Sequence, residues 1–527
     1  MVNPSPARRS VGLVKQLTGL DASFLYMETT SSFGHVSSLS VYEWPDDPSF
    51  NPYEAFRDRV EAALPHLEPF RRRLVEVPFD LDHPYWIADP GFDLDFHLRH
   101  QAVPPPGDDE QLAAQVARVI GRPMDRTRPL WEAYVFEGLA DGGFAVLTKI
   151  HHATIDGASG VELLGVLLDD EPHATVETVA DDWRPERIPS PVEMFNRALG
   201  NLARRPEKAA RLNLAAMRRV GEITRNQGLV TMARAARRNI APNRRDDTSD
   251  SAPALPRGAA PRTPFNRSIT PHRRLAFRSV PLEDIKRLKT KLDATVNDVV
   301  MAVCAGALRR YLQGHGELPA DPLVAMIPVS IRTGKETDKW TNRVSGLVAP
   351  LPTHIADPLG RVAAVHEAMQ QAKSDFELVP ADALVDMSSL APPALSVRAA
   401  RMAASMRSAD RMNPPVNLVI SNVPGPRQPL YLGSARMKHY YPVSTIVDGQ
   451  GLNMTVQSYV DTLDFGLVSC RELVPDLWDL VGFCVDEVDV LCRAAGVERV
   501  RPAKTTKPRA KRAAPKKAAP RKQKAQA

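Results

Sequence analysis

Apolar and polar positions along this 527-residue chain follow two periods, which predicts strands interleaved with helices. A nearly continuous apolar run over residues 143–150 predicts a buried strand, and alternation over residues 131–136 predicts a strand just before it. Residues 161–168 carry apolar side chains three and four positions apart, which predicts a helix, as does the pattern near residues 110–120. The first part of the chain is therefore predicted to have an α/β fold.

The second half shows the same mixture of periods. Thr295 is placed to cap a helix that begins at Val296, and Asp298 falls in the first turn of that helix, where a carboxylate can pair with free backbone N–H groups. Apolar runs over residues 416–421 and 463–468 predict strands. No sequence repeat relates the two halves, so an α/β sandwich is predicted in each half from local pattern alone.

The composition changes between the two halves. Residues 187–245 contain fourteen Lys or Arg residues against three acidic residues, and Met194, Phe195 and Ala198 recur at helical spacing. This pattern predicts basic amphipathic helices, either packed on the two domains or set into a membrane surface. Residues 241–271 are rich in Pro, Arg, Ser and Ala and predict a flexible connector.

The predicted domain organisation has four parts. They are an N-terminal domain over residues 11–180, a helical linker and connector over residues 181–272, a C-terminal domain over residues 273–500, and a disordered basic tail over residues 501–527.

The net positive charge of the chain comes from the tail. It contains eleven Lys or Arg residues and no acid, so the net charge of +6 becomes −5 when residues 501–527 are set aside. The tail is either a solubilising appendage or a segment that contacts anionic lipid or nucleic acid. Because no aromatic residue interleaves its charges, lipid is favoured and no specific nucleic-acid partner is predicted.

The sequence also indicates a compartment. No apolar run reaches the roughly 18 residues that span a bilayer, and the N-terminus leads into no hydrophobic signal core. The scattered cysteines fit a reducing compartment with free, buried thiols. We therefore expect a cytoplasmic protein that associates peripherally with the inner membrane or lipid bodies. The four cysteines are Cys304, Cys470, Cys484 and Cys492.

The candidate chemistry lies between the strand over residues 143–150 and the helix over residues 161–168. His151 and His152 stand at this junction, followed by Asp156 and Gly157 in an HHxxxDG pattern. A lone histidine at a strand end is usually a packed core residue. Two adjacent strand residues point to opposite faces, so one can face a cleft while the other braces the interior. Histidine is suited to remove a proton from a hydroxyl group, and Gly157 permits a close backbone approach.

Other chemistries have weaker support in the sequence. Zinc would require more His, Cys or carboxylate ligands at short spacing than His151, His152 and Asp156 supply, so no metal is predicted. The sequence contains no GxSxG elbow, and no cysteine stands in a catalytic frame. The simplest remaining scheme is direct transfer to a hydroxyl group that His152 deprotonates.

The HHxxxDG pattern resembles the signature of acyltransferases of the chloramphenicol-acetyltransferase and condensation-domain type. Further segments narrow the resemblance to the bacterial wax ester synthase/diacylglycerol acyltransferase family, in the right order over about residues 13–495. These segments are Leu17-Thr18-Gly19-Leu20-Asp21-Ala22-Ser23-Phe24-Leu25, Pro129-Leu130-Trp131-Glu132, Asn297-Asp298, Pro328-Val329-Ser330-Ile331-Arg332, Asn342-Arg343-Val344-Ser345 and Ser421-Asn422-Val423-Pro424-Gly425-Pro426. The first segment reads LTGLD where the family often carries a serine.

The resemblance implies two similar sandwiches of the chloramphenicol-acetyltransferase type, joined by the helical linker, with the active site in a channel between them. It implies long-chain acyl-CoA as the donor substrate, diacylglycerol or a long-chain alcohol as the acceptor, and no cofactor. His152 would be the general base and His151 a supporting residue. Asp156 would orient the loop, with Arg332 as its candidate partner. For Asp298, helix capping is at least as good a role as a catalytic one. The candidates for lining the channel are Trp131, Asn297, Asp298, Arg332, Ser421 and Asn422, and three of these (Asn297, Ser421, Asn422) could stabilise the oxyanion.

Two rival functions stay open from the sequence. A condensation-type enzyme would normally accept from a carrier protein, and no carrier-like segment occurs here. A noncatalytic protein that binds lipid surfaces through the linker and tail would not require the intact HHxxxDG pattern.

Overall fold

The computed structural model describes residues 15–155, 157–173, 180–201, 260–330, 344–377, 402 and 406–500. Asp156, Arg332, the tail and most of the basic linker lie outside these residues, so the predictions for them are neither supported nor contradicted by the structure.

Ten helices lie within the described ranges. They are α1 (Gly19–Tyr26), α2 (Pro52–Ala63), α3 (Leu94–His97), α4 (Asp109–Ile120), α5 (Gly157–Leu167), α6 (191–201), α7 (Leu282–Lys291), α8 (Val296–Gly314), α9 (Pro358–Glu377) and α10 (Leu477–Ala495), with short 3-10 turns at Leu64–His66, Glu68–Arg71, Pro78–Asp80 and Ser408–Asp410. The helices predicted near 110–120, after Thr295 and over 161–168 are confirmed, and the last of these begins earlier, at Gly157.

Fifteen strands are present in the same described ranges. They are β1 (Lys15–Gln16), β2 (His35–Tyr42), β3 (Arg72–Val75), β4 (Tyr85–Ala88), β5 (Leu98–Ala102), β6 (Trp131–Glu137), β7 (Phe144–His151), β8 (Arg273–Pro281), β9 (Leu323–Ser330), β10 (Val344–Leu351), β11 (Leu418–Val423), β12 (Tyr431–Leu432), β13 (Ala435–Val443), β14 (Leu452–Tyr459) and β15 (Thr462–Cys470). All four predicted strands are found, with ends that differ by one or two residues.

The first large sheet combines strands from both halves of the chain. Its order is β12-β13-β2-β7-β6-β5, so the strand that carries the histidines lies near the middle. In the antiparallel register of β2 and β7, His35 lies opposite His151. Strand β13 joins the other side of β2, with Val443 opposite Ser37. The sequence placed β13 in the C-terminal domain, and its pairing with the first sheet was not foreseen.

The second large sheet has the order β10-β9-β11-β14-β15-β8. Helices α7 to α10 pack on one of its faces through a buried apolar cluster that includes Met454 and Val456 of β14. A smaller sheet, β1-β4-β3, lies in the first half. Together these elements form a mixed α/β fold with two sheet-rich domains.

A separate apolar cluster joins the two halves. It contains Val116 of α4 and Leu39 of β2 from the first half, and Leu275 and Phe277 of β8 from the second. Helix α4 and strand β8 therefore share one core, and the end of β7 is held near the second half.

The structure differs from the expectation for the end of the connector. Residues 260–271 were predicted to be flexible from their composition, but Phe265 is fully buried and the Asn266 side-chain amide donates to the backbone carbonyls of Asn417 and Gly449. A buried aromatic ring and a buried, fully bonded amide fix this segment on the second domain. Composition missed these contacts because the partners of Asn266 lie 151 and 183 positions away in the sequence.

The described part of the linker agrees with one of its two predicted roles. Met194 and Ala198 of α6 pack against Val75, Tyr85 and Ile87 of the small sheet. This part of the apolar stripe is therefore covered by protein. Among the described residues, no helix is both long and apolar enough to cross a bilayer.

Candidate active site

The first histidine of the pair is a buried structural residue with a defined ring orientation. His151 ends β7 and is 1% exposed. Its Nδ1 accepts a hydrogen bond from the Ala153 backbone N–H at 3.0 Å. Its proton therefore resides on Nε2, which lies 3.2 Å from Oε1 of Glu28 and donates to it. Both ring nitrogens are engaged, so His151 is not available for proton transfer with a substrate.

Glu28 is the anchor for this ring. Its Oε1 also accepts the Gly34 N–H at 2.8 Å, and its Oε2 accepts from Nη2 of Arg126 at 2.6 Å. Burial raises the pKa of Glu28, but the His151 and Gly34 hydrogen bonds and the Arg126 charge outweigh it and hold the pKa at about 2. The carboxylate is therefore ionised at any physiological pH and keeps the His151 tautomer fixed.

The second histidine has a different environment. His152 follows the strand, is partly exposed, and donates its backbone N–H to the Gly34 carbonyl at 2.8 Å. Its ring lies parallel to the Phe24 ring, with centroids 4.1 Å apart and planes 7° from parallel. The stack fixes the plane of the imidazole. Of the two histidines, His152 is the more exposed residue.

Gly34 is required by the close approach of its loop to the histidines. A Cβ atom at this position would lie 2.7 Å from Nε2 of His151 and 2.7 Å from the Phe24 carbonyl oxygen. Real Cβ atoms do not come that close, and His151 is too well buried to move away. The glycine lets one backbone segment touch both histidines.

Helix α1 brings Phe24 to the site. Thr18 caps this helix, with its Oγ1 accepting the Asp21 N–H at 3.1 Å, and Ala22 and Leu25 pack into a core cluster. The opposite side of the helix then presents Phe24 to His152. The segment Leu17–Leu25, which the sequence singled out only by resemblance, thus supplies the platform on which His152 lies.

A buried lysine of β7 and a buried, neutral histidine of β2 bind the C-terminal end of α4. Lys149 donates to the Val119 and Arg122 carbonyls at the end of α4, at 3.3 and 2.9 Å. His35 hydrogen-bonds the Ile120 carbonyl at 2.9 Å, and burial lowers its pKa well below the ordinary value, so it is a neutral donor. A positive group at a helix C-terminus is favourable. These contacts attach α4 to the strand that ends in the histidines.

The histidine loop also contacts the second half of the chain. The Thr445 hydroxyl donates to the Phe33 carbonyl at 2.6 Å, and Arg273 donates to the Ser31 carbonyl. The segment that touches both histidines is therefore fixed at the junction of the two domains.

The second sheet presents polar groups on the face opposite its helices. Asn453, Thr455 and Gln457 alternate along β14 with the core residues Met454 and Val456, and all three are buried. Ser421 lies beside Thr455 in the parallel register of β11 and β14. The Thr455 hydroxyl is 2.8 Å from that of Ser444, which follows β13. Ser421 thus shares the polar face that looks toward the first sheet.

The other channel candidates are placed elsewhere. Asn422 has the strand parity of Ile420, which packs with the helices. Asp298 caps α8 in a capping box with Thr295, and its carboxylate also contacts Nδ1 of His366 at 2.8 Å. Asn297 precedes it in the same first turn. These are contacts of the helical layer, behind the sheet that carries Ser421.

Trp131 is a core residue. It is 1% exposed, its Nε1 donates to the Phe70 carbonyl at 2.8 Å, and its ring stacks between Phe70 and His97. The preceding Leu130 carbonyl accepts the His151 N–H at 2.9 Å. The Pro129–Glu132 element therefore braces β7 from beside it.

Gly157 begins α5, in agreement with its predicted place at the helix entry. The expected roles of Asp156 and Arg332 concern residues outside the described ranges. Within the described ranges, no group of three or more His, Cys, Asp or Glu side chains could hold a metal ion.

Sequence reasoning missed Glu28, Phe24 and Gly34. Glu28 is 123 positions from His151, so no local spacing connects them. The sequence offered a signal for Phe24 alone, because it lies in the segment Leu17–Leu25 that the family resemblance singles out.

The arrangement defines a class of protein: two mixed sheets meet at a loop in which one histidine is locked and its neighbour is accessible. The wax ester synthase/diacylglycerol acyltransferase catalytic domain profile matches residues 17–300, and the WS/DGAT C-terminal domain profile matches residues 340–491. The chain therefore belongs to the wax ester synthase/diacylglycerol acyltransferase family.

Individual relatives agree with this assignment. A probable diacylglycerol O-acyltransferase of Mycobacterium tuberculosis is 35% identical over 481 residues, which cover 90% of this chain and 98% of that protein. A putative diacylglycerol O-acyltransferase of the same species is 34% identical over 469 residues, 88% of each chain.

Solved structures give the same fold. The wax ester synthase/diacylglycerol acyltransferase from Marinobacter aquaeolei VT8 superposes with a TM-score of 0.63 at 27% identity, over 92% of this chain and 100% of that one. The first condensation domain of the calcium-dependent antibiotic synthetase superposes with a TM-score of 0.50 at 16% identity, over 93% and 98% of the two chains, which shows a shared fold alone.

Proposed function

We propose that the chain transfers a long-chain acyl group from acyl-CoA to the free hydroxyl of diacylglycerol, which makes triacylglycerol. Membership of the family and the names of the M. tuberculosis relatives support this reaction. The observation that carries the assignment of roles is the contrast between the buried, doubly bonded His151 ring and the partly exposed His152 ring.

In the proposed reaction His152 acts as the general base. A ring nitrogen of His152 takes the proton of the acceptor hydroxyl, and the oxygen attacks the thioester carbonyl carbon. The tetrahedral intermediate then collapses: the C–S bond breaks, the ester remains, and the proton on His152 passes to the departing CoA sulfur. No covalent acyl-enzyme forms, and positioned general base catalysis contributes about 100- to 10,000-fold.

His151 and Glu28 are positioning residues in this proposal. Their hydrogen bond fixes the backbone turn from which His152 projects, and the Phe24 ring fixes the plane of the His152 imidazole. A misplacement of about 1 Å can cost about a hundredfold in rate, so the rigidity of this loop is part of the catalytic design. Asp156 is proposed to orient the same loop, with Arg332 as its partner.

The tetrahedral intermediate also needs a hydrogen-bond donor for its oxyanion. Among Asn297, Ser421 and Asn422 we favour Ser421. It lies on the polar face of the second sheet, whereas Asn297 starts a helix in the layer behind that sheet.

A second acceptor class is supported by a specific observation. The family profile and the Marinobacter structure are both described as wax ester synthase/diacylglycerol acyltransferase, so a long-chain alcohol is the alternative acceptor. Access to either acceptor would come from a membrane or lipid-body surface, to which the basic linker and tail are proposed to attach the protein.

The test is product analysis. The purified chain is incubated with radiolabelled oleoyl-CoA and either diacylglycerol, hexadecanol or no acceptor, and neutral lipids are separated by thin-layer chromatography. We expect labelled triacylglycerol above the no-acceptor blank, and a labelled wax ester if the second acceptor is also used. Labelled fatty acid alone would indicate a hydrolase, and an unconsumed thioester would indicate a noncatalytic lipid-binding protein. Either result would contradict the proposal.

A further inference from the structure

A cavity lies between α4 and the start of β8. Its volume is about 520 Å³. Its wall carries one carboxylate, from Glu110, together with the indole of Trp478 and a group of arginines. These arginines are Arg118, Arg122, Arg273, Arg274 and Arg471. We call this cavity the arginine cleft.

Most of the positive charge in the arginine cleft is uncompensated. Arg471 is paired with Glu472 at 3.1 Å. Arg118, Arg122 and Arg274 form no ion pair with any described carboxylate, and the buried Nε of Arg274 has no hydrogen-bond partner among the described residues. The rest of the chain without the tail carries a net negative charge. A cluster of guanidinium groups that few carboxylates balance creates a local positive potential, which favours the binding of an anion.

Arg273 extends the positive charge into the interior. It is only 6% exposed, yet it forms no ion pair within the described residues, and its guanidinium is satisfied by the Thr270 and Ser31 carbonyls. Burial lowers its pKa to about 10, because it outweighs the opposing attraction of the nearby Glu472 carboxylate. A buried guanidinium left without a carboxylate is costly, and an anion in the cleft would remove that cost.

Arg273 of the arginine cleft contacts the histidine loop. Arg273 stacks on the Phe33 ring at 5.1 Å and donates to the Ser31 carbonyl. The next residue, Gly34, accepts the His152 N–H and donates to Glu28. Arg273 therefore links the arginine cleft to the segment that contacts both histidines.

From these observations we infer that the arginine cleft binds a phosphate group, which belongs either to a substrate or to the lipid surface that supplies a substrate. Guanidinium groups match phosphate oxygens with paired, charge-assisted hydrogen bonds, which is why arginine is favoured over lysine at such sites. Two sources share this chemistry: the nucleotide phosphates of the acyl-CoA donor, and the phosphate headgroups of an anionic lipid surface that supplies the acceptor. The nucleotide source rests on the proposed function, whereas the headgroup source does not.

The nucleotide source is tested by isothermal titration of the intact chain with CoA, 3′-dephospho-CoA and pantetheine. The lipid source is tested by sedimentation with phosphatidylcholine vesicles that either contain or lack phosphatidylglycerol. Both are measured with the double variant R118Q/R274Q, whose side chains make no ion pair that the substitution would break.

The matched control is R184Q/R493Q, which removes two exposed and unpaired arginines elsewhere and so changes the net charge equally. We expect R118Q/R274Q to weaken the binding of CoA, or of phosphatidylglycerol vesicles, by at least about tenfold, and the control to stay within about twofold of the wild type. The probe that responds identifies the source of the phosphate.

Native affinity of R118Q/R274Q for both probes would overturn the inference. An equal loss in R184Q/R493Q would overturn it as well, because the effect would then come from net charge. Binding is read without turnover, so intact CoA binding in a chain that makes no triacylglycerol would contradict the proposed function and not the cleft.

Discussion

The two sides of the end of β7 are built for different purposes. On the interior side, His151 is buried and both ring nitrogens are bonded, to Ala153 and Glu28. On the side of the domain junction, His152 is partly exposed and lies flat against Phe24. The contrast teaches that two neighbouring, chemically identical side chains can have different roles. His151 is a fixed structural residue, and the more exposed His152 is the one that we propose meets the substrate.

The interior side is expected to dominate stability. His151→Ala removes two buried hydrogen bonds and leaves a cavity, so the free energy of unfolding should fall by about 2–4 kcal/mol. Urea unfolding followed by circular dichroism measures this loss. His152→Ala is the matched control and should change stability by less than about 1 kcal/mol. Equal losses in the two variants would erase the contrast between the two sides.

Acid should weaken the interior side in a predictable window. The pKa of Glu28 is about 2 in the folded chain against an ordinary value of 4.5, so the unfolded state binds more protons between these values. The Glu28 contribution, of order 3 kcal/mol, is fully present above about pH 4.5 and is lost as the pH falls toward 2. Urea unfolding at pH 5 and pH 3 should show a smaller difference for Glu28→Gln than for the wild type. The same pH dependence in both proteins would show that Glu28 is not ion-paired.

The close contact of Gly34 with His151 is predicted to affect both stability and the position of His152. Gly34→Ala places a methyl group 2.7 Å from Nε2 of His151, and relief of this clash should cost about 1–3 kcal/mol of stability and displace the loop. Gly482→Ala in α10 is the control, because nothing lies within 4 Å of its added Cβ. Thermal unfolding and acyl transfer are measured for both. A Gly34→Ala protein with native stability and rate would show that the loop adapts.

A comparison of two glutamate variants separates the effect of positioning His152 from the effect of removing a partner of Arg126. Glu28 and Glu76 both pair with Arg126, but only Glu28 contacts His151. Glu28→Gln should lower kcat for acyl transfer by about tenfold, with KM for acyl-CoA nearly unchanged, because the turn that carries His152 loosens. Glu76→Gln should leave kcat within about twofold. Equal effects would assign the loss to Arg126 and not to the histidine loop.

Local features of this molecule were predictable from sequence. The cap formed by Thr295 and Asp298 depends on residues three positions apart, and the structure has that capping box. The apolar run before His151 predicted β7 within one residue of its observed ends. Short-range patterns suffice here because the energies that decide caps and strand periods come from neighbours in the chain.

Long-range features were not predictable in this way. Strand β13 pairs with β2 some 400 residues earlier, and Glu28 contacts His151 across 123 positions. Such partners are selected by the packing of the whole fold, which leaves no periodic trace in the sequence. The arginine cleft was missed for the same reason, because Arg118 and Arg274 are brought together only when α4 packs on β8.

The account depends most on His152 as the general base, and a single-turnover experiment tests this directly. Enzyme in excess over radiolabelled oleoyl-CoA is mixed with saturating diacylglycerol, and the rate constant of triacylglycerol formation is compared between wild type and His152→Ala. The account predicts a fall of at least about 100-fold in a variant that unfolds at the wild-type temperature. A rate within a few-fold of the wild type in a folded His152→Ala protein would contradict it.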